Sequence, residues 1–304
     1  MKQTQKVLVV GATGHLGSKV VNELLQQGKK VRVLIREGTD AAVFQNRGIE
    51  VVYGDLTKPH TLSPAVKGMD ALITTAIGYA QRRKGDSLTS VDDIGNKNLI
   101  DAAKQEGLQL FVFTSILTAD KAVNVPHFYQ KKLVEDYLEA SAVPFISLRP
   151  GGFLDSLLNA KDIANGNIKA MVSKNAIAST VLADDVAKYL VAALDIPEAV
   201  GKRIDIAADR PVGLQEIAIL ISEMIEKNVN VKAMPAWLTA IIMNVLGLFN
   251  PMIKGLKPSL DYAASGQYVA DTTMQARLFG EVPTIEDSIK RWVQQHDVLG
   301  KGGL

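Results

Sequence analysis

Cysteine is absent from this sequence. That excludes a disulfide scaffold, thiolate metal sites and a cysteine nucleophile. Histidine is scarce. The four present, His15, His60, His127 and His296, show no H-x-x-x-H spacing, so no metal site is expected. An excess of charge of one sign is lacking too. The formal net charge is +2, and no basic run exceeds Arg82, Arg83 and Lys84. A nucleic-acid partner is therefore not expected. Long hydrophobic runs are missing near the start. An apolar run of only four residues precedes Gly11, too short for a secretory core, which makes a cytoplasmic protein the expectation. The most apolar stretch, 236–253, is broken by Thr239, Asn244, Gly247, Asn250 and Pro251. It reads as a substrate wall or subunit interface carrying Trp237, Met243, Phe249 and Met252, not as a membrane span.

What is present is an ordinary globular composition, 47% hydrophobic and 22% charged over 304 residues. A chain of that size can bury a large core. Short apolar, β-branched runs at 6–10, 30–35, 49–53, 70–77, 109–114 and 144–148 read as buried parallel strands. Helical spacing predicts helices over 15–27, 91–106 and 126–141. Strand and helix in alternation mean an α/β fold, with a doubly wound parallel sheet covered on both faces. The pattern breaks at Pro150, Gly151 and Gly152. A helix over 184–194, a strand over 202–207 and a helix over 214–227 follow.

Gly11, Gly14 and Gly17 form G-x-x-G-x-x-G at the turn from the first strand to the first helix. Glycines there let backbone approach a pyrophosphate, and the helix N-terminus supplies N–H groups and a positive dipole end. The candidate phosphate cradle is Gly11, Thr13, Gly14, His15, Leu16 and Gly17. The chain then divides into a dinucleotide-binding Rossmann portion over 1–153 and a mostly substrate-binding portion over 154–304. Within the latter, about 180–208 returns to the core. The second strand ends on Arg36, where NAD sites place a carboxylate. A guanidinium suits a 2′-phosphate, so NADP(H) is expected over NAD(H). Thr75, Ala76 and Ile77, at the fourth strand's end, would flank the adenosine ribose and diphosphate.

The motif GATGHLG resembles that of short-chain dehydrogenase/reductases. Together with VLIRE, the GDL at 54–56, the VFTS strand end and LRPGGF at 148–153, the chain resembles the atypical NmrA-like branch. The resemblance implies that Asp55 reaches the adenine edge, with Leu56 beside it. It also implies a Ser, Tyr and Lys set, with Tyr-x-x-x-Lys on the helix after the fifth strand, the phenol acting as acid. Ser115 is the serine candidate. Lys131 aligns with the lysine, but His127 stands four residues before it, and Tyr129 is only two before. Standard carbonyl reduction by a tyrosine acid is therefore not implied. Lys131 falls at the border of the helix's apolar face, as a coenzyme- or substrate-binding lysine or as one snorkelling from the core. Imidazole ordinarily changes charge near neutral pH, which makes His127 a candidate for proton transfer.

Tyr79 would lie over the cofactor or on a polar flap spanning 78–90. Gly151 and Gly152 would let backbone pass close to the nicotinamide, or simply turn a corner. The leading expectation is an NADP(H)-dependent oxidoreductase acting on a small, fairly apolar carbonyl or quinone-like substrate. The alternative is a non-catalytic NADP(H)-binding redox sensor with a regulatory protein partner, and behind it an assembly or scaffold factor. A homodimer is compatible with each.

Overall fold

The computed structural model describes residues 4–78, 83, 85–170, 176–234, 238, 239, 241, 243, 245 and 251–298, the last stretch by backbone only over 251–256. Two compact units divide it. The first comprises Met1–Val123, Phe128–Arg149 and Ala183–Ile204; the second comprises Asn124–His127, Pro150–Leu182 and Asp205–Leu304.

The first unit is built on a sheet of seven strands: β1 (Lys6–Val10), β2 (Lys30–Ile35), β3 (Glu50–Tyr53), β4 (Ala71–Thr74), β5 (Leu110–Thr114), β6 (Phe145–Pro150) and β7 (Arg203–Ile206). Their spatial order is 7-6-5-4-1-2-3. The strands from β3 across to β6 pair in parallel, with Val7 against Val31 on one side and Ala71 on the other. β7 runs in step with β6, since Ser147 N donates to Lys202 O and Gly151 N to Ile206 O. The order reverses between β1 and β4, which opens a crevice at the carboxyl ends of those two strands.

Helices α1 (His15–Gln26), α2 (Asn96–Gln105), α3 (Pro126–Ser141) and α4 (Ala183–Ala192) cover the sheet. Successive strand residues face opposite ways. Leu8, Val10, Leu72, Phe111 and Phe113 therefore share one core cluster with Leu99 and Ile100 of α2 and Val134 and Leu138 of α3. Val7, Val9, Ile73 and Val112, equally buried, point to the other side, where α1 packs on α4.

Two elements depart from the sequence expectation. The fourth strand stops at Thr74, because from Thr75 the chain turns across the glycine loop. The polar flap is not loop throughout. Ser87 caps a π-wound segment, Leu88–Gly95, that runs directly into α2. Ser87 and Ser90 each accept from the other's backbone N–H, which satisfies donors that a polar run leaves over.

The second unit has its own core. Leu154, Ile163, Ile168 and Leu182 pack with Leu214, Ile217 and Ile221 of α5 (Leu214–Ile225) and with Ile285, Ile289 and Trp292 of α6 (Ile285–Gln295). Strands Asn167–Ala170 and Asn230–Ala233 pair in parallel within it. Tyr79, Trp237 and Phe249 lie outside the described residues, as do most of 236–253. Within that stretch Met243 is buried, and Ile241 and Val245 are exposed. No helix among the described residues is long and apolar enough to cross a membrane.

Candidate dinucleotide and catalytic site

The glycine loop joins β1 to α1 at the switch point. Gly11 takes φ +88°, and a Cβ there would sit 2.7 Å from Thr75 Oγ1 and 2.9 Å from Ala76 N. A Cβ on Gly17 would lie 2.1 Å from Gly11 O, so α1 can approach β1 this closely only with glycine at that position. Gly14 is different. Its φ of −80° suits any residue, and its ideal Cβ meets only Gly11 O, at 3.2 Å. Turn geometry does not force glycine here, and a Cβ would press on the Gly11 carbonyl by only a few tenths of an ångström, far less than at Gly11 or Gly17. The N-cap, Gly14, offers no side-chain acceptor, and the first turn holds no acidic residue. The N–H groups and positive dipole end of α1 are thus left for an external anion. Thr13 and His15 are exposed beside them and Leu16 is half-buried.

Thr75 and Ala76 lie half-buried against this loop. Thr75 N donates to Val10 O at 2.9 Å, which ties the end of β4 to β1, and Ile77 is exposed. Leu56, by contrast, belongs to the core cluster, with its carbonyl held by Asn98. Asp55 caps the loop after β3: its Oδ1 accepts from Thr57 N and Thr57 Oγ1. Burial pushes its carboxyl up, but the two Thr57 bonds, Arg36 and Lys58 more than offset this and hold it below the usual aspartate range. Arg36, immediately after β2, contacts Asp86 Oδ2 at 2.7 Å and lies 3.9 Å from Asp55 Oδ2.

The chemistry-bearing groups gather where β5 ends. Lys131 of α3 is only 2% exposed. Its Nζ donates to Thr114 O at 3.0 Å and stands 4.9 Å from the centre of the Phe113 ring. The lysine does not snorkel: the ammonium itself is inside. Burial lowers its pKa below the usual lysine value, and the nearby carboxylates Asp92 and Glu135 recover part of the fall. One turn on, Glu135 is clamped by Arg149, whose Nε and Nη2 donate to its two oxygens at 2.9 and 2.6 Å, and by Ser147 Oγ at 2.6 Å. Burial pulls the Arg149 pKa down, but Glu135 and Asp120 outweigh it and raise it above the ordinary arginine value.

Where β5 ends, Ser115 Oγ and Thr114 Oγ1 are buried without a hydrogen-bond partner among the described residues; Lys131 itself meets the Thr114 carbonyl. Buried hydroxyls are normally satisfied, so this pair asks for a ligand. His127 is half-buried one turn before Lys131 on α3. Tyr129 is 40% exposed, away from Lys131, and so is not the missing phenol. Sequence reasoning missed Thr114, Asp92 and Asp86. The first hides inside a strand, Asp92 sits at the start of the expected helix over 91–106 among other polar residues, and Asp86 sits in what reads as polar loop.

A switch-point crevice, a glycine loop aimed at an uncapped helix and orphan hydroxyls at the next strand end define a dinucleotide-binding α/β protein. The family model of the NmrA-like family matches residues 3–269. The chain belongs to that family. It is similar to the Photosystem II assembly factor Ycf39 of Synechocystis sp., 33% identical over 234 residues, 76% of this chain and 71% of that protein. In structure it resembles the Citrobacter sp. triphenylmethane reductase complexed with NADP(H), at 20% identity and a TM-score of 0.77, covering 94% of this chain and 99% of that one. It also resembles the NADPH-dependent quinone oxidoreductase of Escherichia coli complexed with NADPH, at 21% identity, a TM-score of 0.77 and the same coverage. At these identities the structural likeness establishes the fold.

Proposed function

We propose that the chain is an NADP(H)-dependent oxidoreductase reducing a small, fairly apolar carbonyl or quinone-like compound. One observation carries this reading: the Lys131 ammonium is buried against the Thr114 carbonyl at the end of β5, where the next residue, Ser115, has a buried hydroxyl without a partner among the described residues. The residues fit the coenzyme. Gly11, Gly14, Gly17 and the α1 N–H groups would hold the diphosphate, Thr75 and Ala76 would flank it, and Arg36 and Asp55 would face the adenosine half. The coenzyme, when bound, supplies the hydride. Lys131 keeps two N–H groups beyond its bond to Thr114 O, enough to hold a ribose hydroxyl. Ser115 Oγ can donate to a substrate oxygen and steady the negative charge that develops on it. His127 is the candidate proton source in place of the absent tyrosine.

A second reading is favoured by two observations. His127 stands where the reductase pattern has tyrosine, and a relative 33% identical over 76% of this chain is named an assembly factor. On that reading the same pocket binds NADP(H) as a structural or sensing ligand, and the chain acts through a protein partner. The decisive experiment has two arms. Calorimetry with NADPH and NADH tests the pocket, and loss of NADPH absorbance in the presence of quinones, conjugated dyes and aldehydes tests turnover. Binding with turnover supports the reductase. Binding without turnover across the whole panel supports the second reading.

A further inference from the structure

Arg36 is already engaged. Its Nη1 lies 2.7 Å from Asp86 Oδ2, and the Asp86 side chain is only 7% exposed. The second carboxylate, Asp55, stands farther off at 3.9 Å and has its other oxygen taken up by Thr57. Asp86 is thus the carboxylate bound directly to the guanidinium. Its position does not depend on Arg36. Asp86 N donates to Arg83 O at 2.9 Å, Arg83 N donates back to Asp86 Oδ2 at 3.0 Å, and the next residue, Ser87, is the cap that locks onto Ser90. The carboxylate would remain near Arg36 even when displaced from it.

A carboxylate oxygen and a phosphate oxygen are alternative acceptors for the same guanidinium N–H groups. A 2′-phosphate brought to Arg36 must therefore displace Asp86 and then tolerate its charge. A ribose 2′-hydroxyl need do neither, and a carboxylate near it is a hydrogen-bond acceptor of the kind NAD sites use. We propose that Asp86 is the specificity-determining residue at the coenzyme's 2′ position: it competes with a 2′-phosphate for Arg36 and so weakens the preference for NADP(H) over NAD(H). This rests on the coenzyme reading above. It also revises what Arg36 alone implies, because an arginine paired in advance discriminates less than an open one.

The test uses the full chain and two coenzyme fragments, adenosine 2′,5′-bisphosphate and 5′-AMP, which differ only in the 2′-phosphate. Calorimetry gives the ratio of their association constants. Asp86→Asn should raise that ratio at least about tenfold, the worth of one charge-assisted contact. Asp86→Ser should do the same if asparagine disturbs the loop. In an Arg36→Ala background the Asp86→Asn change should shrink to less than about threefold, the residue of screened charge repulsion. Both fragments binding with a ratio that neither Asp86 variant moves would overturn the proposal while the coenzyme reading stands. A full-sized effect persisting without Arg36 would overturn it as well, since no competition would be involved. If neither fragment binds the unmodified protein, the coenzyme reading falls and this proposal falls with it.

Discussion

Replacing Lys131 by methionine and by alanine separates what its charge does from what its stem does. Methionine keeps most of the length and the apolar volume. It loses the bond from Nζ to Thr114 O, a charged donor worth about 1.5–3 kcal/mol. It also removes the cost of desolvating an ammonium, which is the largest influence on this lysine and opposes the first loss. The two should leave Lys131→Met within about 2 kcal/mol of the unmodified protein at neutral pH. Alanine adds a cavity among Phe113, Val134 and their neighbours, and should lie about 2–5 kcal/mol below methionine. At roughly 2 °C per kcal/mol for a chain of this size, that is about 4–10 °C in Tm.

The pH dependence carries the sharper test. The Lys131 pKa is lowered in the folded state from an ordinary value of 10.5. Between the lowered value and 10.5 the unfolded chain binds more protons than the folded one, so stability rises with pH through that window. Below the window the penalty is fully present. Urea midpoints of the unmodified protein and Lys131→Met, measured from pH 7 to pH 10, should therefore shift relative to one another in favour of the unmodified protein as pH rises. A flat difference, or one shifting the other way, would show that Asp92 and Glu135 hold the ammonium better than burial penalises it. For turnover, both variants should lose about 10²- to 10⁴-fold in kcat if Lys131 works in the reaction. Lys132→Ala is the control. It breaks only an exposed pair with Asp136 and should change stability by less than about 0.5 kcal/mol.

Three further outcomes are expected. Gly14→Ala should lower the Tm far less than Gly17→Ala, because its backbone suits any residue and its Cβ meets Gly11 O at 3.2 Å, not 2.1 Å, yet it should weaken NADPH binding; Gly17→Ala should destabilise the fold itself. Circular dichroism melts beside calorimetry distinguish the two. Ser115→Ala removes a hydroxyl that has no partner to lose, so it should be neutral or stabilising in urea while lowering kcat; a marked loss of stability would show an internal role. Glu135→Ala removes the two-point clamp and leaves Arg149 with Asp120, 3.1 Å from Nη1, as its remaining carboxylate; it should cost about 3 kcal/mol in urea denaturation, the low end of the range for breaking one half of a buried ion pair.

The strands of the sheet were legible because each is a continuous apolar run between turn residues, and β1 and β2 match their expected limits. The phosphate loop was legible from the glycine spacing at the first strand-to-helix turn, whereas the strand order that puts it at a switch point came only with the structure. The C-terminal helix α6 was passed over although its signals stand in the sequence. Thr284 caps Asp287 N, and Ile285, Ile289, Trp292 and Val293 recur at helical spacing. The π-wound segment was not legible, because its polar Ser87–Ser90 start is also what a loop contains. The site divides in the same way. Lys131 could be placed from helix spacing, but whether its ammonium reached solvent or the core depended on what closed over it. Asp86 could not be found at all. It meets Arg36 across 50 residues of sequence, and no local pattern records that encounter.

The Glu135 clamp bears on why a lysine occupies position 131. Arg149 and Ser147 hold Glu135 against β6, and this anchors α3 to the sheet one turn from Lys131. With that anchor in place, a leucine or methionine at 131 would fill the same space without desolvating a charge. A lysine whose charged form burial disfavours, at a position an apolar residue could fill, points to a duty outside folding. Among the described residues its hydrogen bond is to a backbone carbonyl, and the Thr114 and Ser115 hydroxyls at the same strand end have no partner there. That argument extends to coenzyme binding under either reading of the function, because a ribose hydroxyl must be held in a sensor as in an enzyme. What distinguishes the two is proton delivery. A sensor needs no donor to a substrate oxygen, so His127→Ala and Ser115→Ala should leave NADPH affinity intact in both cases and lower kcat only in a reductase.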